Sequence, residues 1–566
     1  MCFSGIVAAD DSGRVPNSYE RLGRVIGYFT KGYAAGRERL CRKARLKPLL
    51  IAVLAVVGFC MALQKAEAQP YEPFARNYWI HPVGVNYTLS TPVNNGTEWI
   101  MAAPMNEQTL EGTYTTNRRN VIAMFRVSYP YYSIISPQGL CEGDVRVIGM
   151  KGTGTEEFDR SVEFEVHCVV QDCSSDTVIL CGSINRAEGE KTVGMVAVMD
   201  KDFNLISLRQ YEHVRVFYSV YAQDGYYFVC GQMQDYAPYN STAIALRDAL
   251  AAPMLSTNPN MWAFHTNPTL FRDWAFHKIA VRNVDRYIYG CSPEFSVSAA
   301  GTTDENRGIG WAVFYMNTLT GSFSFGNAAY AIQTDYTPNS RVTIANIPRL
   351  TTMNTPLMPQ GILLSVSDGS NIYTYEIDNN LSATINSAFR MDWNGRLQDM
   401  DCGRVTGTQH EVAWVGNREE EQIADYIRTN VTYPATAAPP PPGPYYHFIP
   451  SGTTLPNSYY SLHKVHYNER SLTFHAGGYY SEGIAEADRN RTTFAVTPER
   501  VPASNQCTQR DMMNFHPYPI VDAVDFGCER VRIGGVELPV NDRLYNFCTM
   551  ECERTRGGGC GMPTNK

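Results

Sequence analysis

Val193-Gly-Met-Val-Ala-Val-Met199 runs into Asp200-Lys-Asp-Phe-Asn204, and strand-like sequence resumes behind it. An apolar, β-rich run closed in this way reads as a strand ending in a hairpin turn. Asp and Asn accept local backbone hydrogen bonds, and Asn or Gly tolerates left-handed backbone angles. The succession recurs: Met316-Asn317 has Gly321 four positions on, and Ile377-Asp378 has Ser382. The turns fall 117 and 61 residues apart, which fits a period near 60.

Ahead of each such run stands another apolar run, often ending in Cys-Gly or a similar small pair. These first runs are Trp99–Ala103, Val178–Gly182, Tyr227–Gly231, Tyr287–Gly290, Ile362–Ser365, Val412–Gly416 and Leu472–Gly477. The matching second runs are Val121–Val127, Val193–Met199, Thr242–Leu246, Trp311–Met316, Ile372–Ile377, Tyr445–Ile449 and Thr493–Val496. A strand-rich repeat of this size predicts an all-β β-propeller of about seven blades, with six as the other count, each of four antiparallel strands A to D. The first runs are then strands B and the second runs strands C. Ser161–Val170, Trp274–Val281 and Tyr459–Tyr467 are inner strands A. Two sandwich domains are the rival all-β reading, but they would not repeat one turn at blade spacing.

The sixth repeat is interrupted. Asn417-Arg-Glu-Glu-Glu421, a helix-compatible stretch to Ile427 and a proline-rich run from Pro434 to Gly443 separate its two apolar runs. Four consecutive prolines favour polyproline II and cannot join a ladder, so the insert reads as an excursion from the blade. Residues 97–498 form the propeller in this reading, after a lead-in over 69–96, and the pattern fades into a Cys-rich segment over 499–566. There Arg530–Leu538 predicts a hairpin with a Gly-Gly turn.

Residues 1–68 read as an address. Lys43, Arg45 and Lys47 precede the 15-residue run Leu49–Leu63, and Ala66-Glu67-Ala68 supplies a cleavage signature. That order describes a secretory signal peptide with an over-long n-region; the run is short for a membrane span. Export would leave 498 of 566 residues with 37 basic and 51 acidic side chains, a net charge of −14. That balance lacks the basic footprint of a nucleic-acid binder. The same span keeps 12 of the 15 cysteines, an even number that permits disulfides outside the cell. Cys168 and Cys173 are expected to pair across a turn, and Cys507, Cys528, Cys548, Cys552 and Cys560 are further disulfide candidates. Cys181 and Cys230 share a strand-B position and read as small buried residues.

No cofactor or metal is expected. Asp200-Lys-Asp202-Phe-Asn204 and Asp399-Met-Asp401 have the oxygen spacing of a calcium loop, but the repeat equivalents of Asp200 lack the second carboxylate, so a turn is the better reading. His463 and His466 stand three apart in a predicted strand and point to opposite faces. H-E-x-x-H, G-x-S-x-G and P-loop signatures are absent from the sequence.

Tyr315–Phe325 resembles one tryptophan-docking repeat of the quinoprotein propellers, and His475-Ala-Gly-Gly478 is similar to the kelch double glycine, each once. Over residues 97–498 the repeat pattern resembles the exported β-propeller proteins of unknown function common in Gram-negative bacteria. That resemblance implies the fold and export but brings no functional residues.

Function is expected on the B–C loops, which gather with the D–A connections on one face. They carry Arg118, Arg119, Tyr236, Tyr239, Asp304, Glu305, Arg307, Tyr479, Tyr480, Glu482 and Asp488, among them the Tyr and Arg that interfaces favour. The reading is a monomeric, exported, non-enzymatic scaffold binding a protein or glycan, in the periplasm, at the cell surface or outside. The alternative is a carbohydrate-active hydrolase or lyase with acidic residues at the channel mouth, which needs two carboxylates close together on one sugar.

Overall fold

A computed structural model describes residues 75–80, 88–89 and, with gaps at many connections, 98–546. The address over 1–68 and its apolar run lie outside the described residues, as do Cys173, Cys507, Cys548, Cys552 and Cys560. No helix among the described residues is long and apolar enough to cross a membrane.

The fold is all-β and β-propeller-like, built of antiparallel sheets, with one helical turn, Glu107–Leu110, among the described residues. Sheet 1 holds Thr88–Leu89, Glu98–Met105, Val121–Ser128 and Asp144–Met150 as strands A to D, and sheet 2 holds Glu163–Asp172, Thr177–Asn185, Val193–Met199 and Leu205–Tyr211. Sheet 3 follows with Val214–Gln223, Tyr226–Met233, Thr242–Asp248 and Asn260–Thr266. In sheet 4, Lys278–Arg282 is strand A, followed by Tyr287–Ser298, Glu305–Asn317 and Ser322–Ile332. Sheet 5 comprises Arg341–Asn346, Ile362–Ser367, Asn371–Ile377 and Ile385–Asp392. Sheet 6 comprises Arg396–Thr406, Gln409–Arg418, Ile423–Thr432 and Gly443–Phe448. Sheet 7 contributes Tyr459–Asn468, Thr473–Glu482 and Asn490–Val496, and takes Ala75–Ile80 as its fourth strand. Strands A of successive sheets lie side by side, and that of sheet 7 meets that of sheet 1.

The core lies between neighbouring sheets. One cluster packs Ile179, Cys181 and Val196 of sheet 2 against Val214, Phe217 and Val229 of sheet 3; others join sheets 1 and 2, 4 and 5, 5 and 6, and 6 and 7. Strands B and C are therefore covered on both faces, and Thr177–Ile184 is buried without a break. Such strands read as continuous apolar runs, whereas strand A of sheet 2 alternates. The seven first runs fall in strands B, apart from Leu472 one residue ahead of its strand, and every second run but one falls in strands C.

The small pair that closes strand B has a physical cause. Strand A of sheet 2 bulges at His167, between Val166 and Cys168, and strand A of sheet 3 bulges at Tyr218. Each bulge presses a backbone carbonyl onto strand B. A Cβ on Gly182 would stand 1.8 Å from Glu165 O, and one on Gly231 would stand 1.9 Å from Val216 O. Only glycine fits there.

The Asp200 turn is as read from the sequence. Its carboxylate accepts the N–H groups of Asp202 at 2.9 Å and Asn204 at 2.8 Å, and the Asn204 amide at 2.7 Å. Three donors on one carboxylate hold the turn closed. The left-handed residue is Phe203, with φ +63°, instead of Asn204.

Four expectations are corrected. In sheet 6 strand C is Ile423–Thr432, and Tyr445–Phe448 belongs to strand D; the stretch read as helix-compatible is a strand, and the proline run lies in the C–D connection. The segment read as a lead-in supplies strand D of sheet 7 and strand A of sheet 1. Cys168 is a buried free thiol whose Sγ lies 3.7 Å from Val220 O, and Cys173, its expected partner, lies outside the described residues. Arg530–Leu538 is not a hairpin: Cys528–Gly534 pairs with strand D of sheet 3, and Val536–Glu537 with strand D of sheet 2.

That last pairing belongs to a longer course. Thr508–Met513, Phe515–Pro517, Ala523–Phe526, Cys528–Gly534, Val536–Glu537 and Val540–Asn546 add an outermost strand to sheets 6, 5, 4, 3, 2 and 1 in that order. The C-terminal segment is a belt retracing the sheets in reverse. Phe515 packs on Phe389 and Trp414, and Leu538 N–H donates to Leu208 O at 2.9 Å.

Candidate functional site

Register carries a row of residues across sheet 6. Gly416 on strand B pairs with Asp425 on strand C, Asp425 with His447 on strand D, and His447 with Gln509 on the belt. Directly opposed residues share a face, and so do residues two apart along a strand. One face therefore presents Gly416 and Arg418, then Ile423 and Asp425, then Tyr445 and His447, then Gln509 and Asp511. It looks onto Asp392, Trp393 and Asn394 at the end of sheet 5, and together these groups line a cleft of about 410 Å³. Arg418 ends strand B and Ile423 begins strand C of sheet 6, and Trp393 and Asn394 lie between sheets 5 and 6, so the cleft sits at the B–C and D–A ends of the strands.

Asp425 organises the floor. It is fully buried, and Trp393 Nε1 donates to its Oδ2 at 2.7 Å, Tyr445 OH at 2.9 Å and Arg418 Nε at 2.8 Å. His447 Nδ1 lies 2.9 Å from Oδ1 and also 2.8 Å from Arg418 Nη2. A lone buried carboxylate would be costly, but the guanidinium neutralises this one and the remaining donors fill its lone pairs. Burial, reinforced by the negative charge of Asp425, pushes the Tyr445 phenol well above its usual range. The indole fits because its neighbours have no side chain: a Cβ at Gly395 or Gly416 would stand 2.2 or 2.3 Å from the Trp393 ring. The outer wall is polar and accessible, with Asn394, Gln509 and the carboxylates of Asp392 and Asp511 exposed.

A second polar group lines the inner strands. Tyr218 stacks on His277 with ring centroids 4.1 Å apart and meets His167 edge-on at 5.2 Å. Burial lowers the pKa of His277 to about 4, with Lys278 and His167 adding to the shift, and burial likewise lowers that of His167. These rings are neutral at physiological pH. Among the described residues no cluster of His, Cys, Asp and Glu could hold a metal.

The residues expected from sequence stand elsewhere. Arg118 and Arg119 do lie between strands B and C of sheet 1, but Arg118 Nη1 donates to Ser161 O at 2.8 Å and Arg119 O accepts the Phe164 N–H at 2.9 Å, which ties the loop to sheet 2. Glu305 and Arg307 lie in strand C of sheet 4, and Tyr479, Tyr480 and Glu482 in strand B of sheet 7, so these five are strand residues and not loop residues. Tyr236, Tyr239, Asp304 and Asp488 lie outside the described residues. None of the expected residues that are described lines the cleft. The signal that could have found it was Asp425 between Ile423 and Ile427, a charge on the apolar side of a period-two run.

Fold and site together define a β-propeller-like protein with a polar cleft between two sheets. No family model matches the chain, and no curated protein matches it. Among solved structures it is similar to the β-propeller domain of Vanderwaltozyma polyspora Nup133, at 9% identity and a TM-score of 0.26, over 58% of this chain and 97% of that one.

Proposed function

We propose that the chain is an exported recognition scaffold, a seven-bladed β-propeller whose B–C and D–A face binds a glycan in the cleft between the fifth and sixth blades. The carrying observation is the cleft itself: polar groups converge on a rigid floor fixed by Asp425. The ring of neighbouring inner strands, with the N-terminal strand completing the last sheet, supports the blade count. Binding is favoured over hydrolysis because Asp425 is neutralised by Arg418, while Asp399 and Asp401 accept backbone N–H groups of sheet 7. In the cleft wall itself Asp392 is paired with Arg390 at 3.1 Å, which leaves Asp511 as the uncompensated carboxylate of the lining where hydrolysis calls for two acting together.

A glycan array probed with the secreted protein tests this, read for retained protein and for loss of printed glycan. Retention without loss is expected. Loss of a glycan would make the protein a hydrolase or lyase. Silence on every glycan, with capture by a protein partner, would overturn the glycan reading. Export is tested by sequencing the N-terminus of the mature chain, expected near Gln69.

A further inference from the structure

We infer that the cleft selects neutral saccharides over acidic ones, and that Gln509 and Asp511, delivered by the C-terminal belt, are its specificity-determining residues. The inference rests on the reading of the cleft as a glycan site.

The volume suits a saccharide of one or two rings, since about 410 Å³ falls at the small end of the usual range for ligand pockets. The lining suits hydroxyl groups. Asn394 and Gln509 offer paired donors and acceptors, and the carboxylates of Asp392 and Asp511 accept. Tyr445 adds an aromatic surface, with the His447 ring centroid 3.9 Å from its own.

Charge decides the class. The cation in the lining is Arg418, and its charge is already matched by Asp425 beneath it at 2.8 Å. Asp392 is compensated by Arg390 at 3.1 Å and by His516 at 3.5 Å when that ring is protonated. Asp511 spends Oδ1 on the Met512 N–H at 2.8 Å, and no cation among the described residues forms an ion pair with it. A uronate or sialate entering here would meet the Asp511 carboxylate without a free counter-charge. Neutral vicinal hydroxyls would instead donate to it and exchange hydrogen bonds with Gln509.

Both belt residues point into the cleft by register. Gln509 pairs with His447 and Asp511 with Tyr445, and alternate residues of one strand share a face. The cleft is incomplete without a strand that begins at Thr508, sixty positions beyond the Phe448 that ends strand D of the same sheet.

The experiment compares the intact protein with Gln509→Ala, Asp511→Ala and Asp511→Lys on an array carrying neutral hexosides and N-acetylhexosaminides beside uronosides and sialosides. Affinities for the retained glycans follow by titration. Gln509 and Asp511 are exposed, so thermal unfolding should match the wild type and exclude misfolding as a cause. The expected result is retention of neutral glycans, at least tenfold weaker binding by both alanine variants, and a shift toward acidic glycans with Asp511→Lys. Preference of the wild type for acidic glycans, or neutral binding untouched by all three substitutions, overturns this inference while glycan recognition stands. Retention of no glycan of either class overturns glycan recognition itself, and the inference with it.

Discussion

Asp401 accepts the backbone N–H of Tyr467 at 2.8 Å, although the two residues lie on inner strands of different sheets. Two residues back on each strand, Asp399 accepts the Val465 N–H at 3.2 Å. Between them, Lys464 Nζ lies 3.7 Å from Asp399, and His466 Nδ1 lies 3.1 Å from Asp401. Burial works against the Lys464 charge, yet Asp399 and its neighbours hold the ammonium pKa above its ordinary value. Carboxylates on one strand thus do for sheet 7 what a ladder does within a sheet.

Asp399→Ala should destabilise the protein by about 1–3 kcal/mol, because it orphans a buried N–H and leaves the Lys464 charge unmatched. Asp401→Ala should cost less, since its partners are more exposed. Asp401→Asn should recover part of the loss, because an amide oxygen still accepts from Tyr467. Urea midpoints at unchanged m-value measure this; an Asp399→Ala midpoint equal to wild type would contradict it.

Acid should weaken the fold well above the carboxylate range. Burial lowers the pKa of His277 and of His410 to about 4 each in the folded protein, against 6.5 for the free side chain. The unfolded chain then binds more protons between those values, so stability is full above pH 6.5 and falls as pH drops toward 4. Each group contributes at most on the order of 3 kcal/mol. Urea midpoints from pH 7.5 to 4.5 should fall, and His410→Gln should flatten the slope. A profile with no fall between pH 6.5 and 5 would sink the argument.

Gly182→Ala should cost more than about 3 kcal/mol or prevent folding, because its Cβ would stand 1.8 Å from the backbone carbonyl of Glu165, which has no rotamer in which to retreat. Gly154→Ala is the control. Its φ is +71° but nothing lies within 4 Å, so only the left-handed backbone term of about 1–2 kcal/mol applies. Thermal unfolding of the two variants should separate them widely. Equal effects would mean that the bulge, and not the glycine, yields.

The legible part of the fold was the part buried on both faces. Strand B of sheet 2 and its counterparts show as apolar runs, and their closing glycines answer to bulges on strand A. The belt did not show. Its strands are polar and broken, Val536–Glu537 having two residues, and they pair with strands that lie from 60 positions away (Phe448 with Thr508) to 402 (Asp144 with Asn546). Nothing local distinguishes them from a tail. The cleft was hidden for a related reason. Ile423–Thr432 carries Asp425, Arg428 and Asn430 among its apolar residues, which blurred the strand, and the partners of Asp425 come from beyond that strand. The candidate residues were sought in loops, whereas the cleft is floored by strand ends.

The floor of the cleft offers the sharpest test of that last point. Trp393→Phe would keep a ring between Gly395 and Gly416 but remove the indole N–H that meets Asp425 at 2.7 Å. Tyr445 and Arg418 would still satisfy the carboxylate, so the loss should stay near 1–2 kcal/mol. Asp425→Leu removes the anion and leaves the half-buried Arg418 without its counter-ion, which should cost about 2–4 kcal/mol. The double variant Arg418→Met/Asp425→Leu should recover much of that, because an apolar pair of similar volume replaces a buried ion pair at little net cost. A double-mutant cycle on urea midpoints should therefore show strong coupling between the two positions. Additive losses would mean that Asp425 is held chiefly by Trp393 and Tyr445, with the guanidinium a bystander.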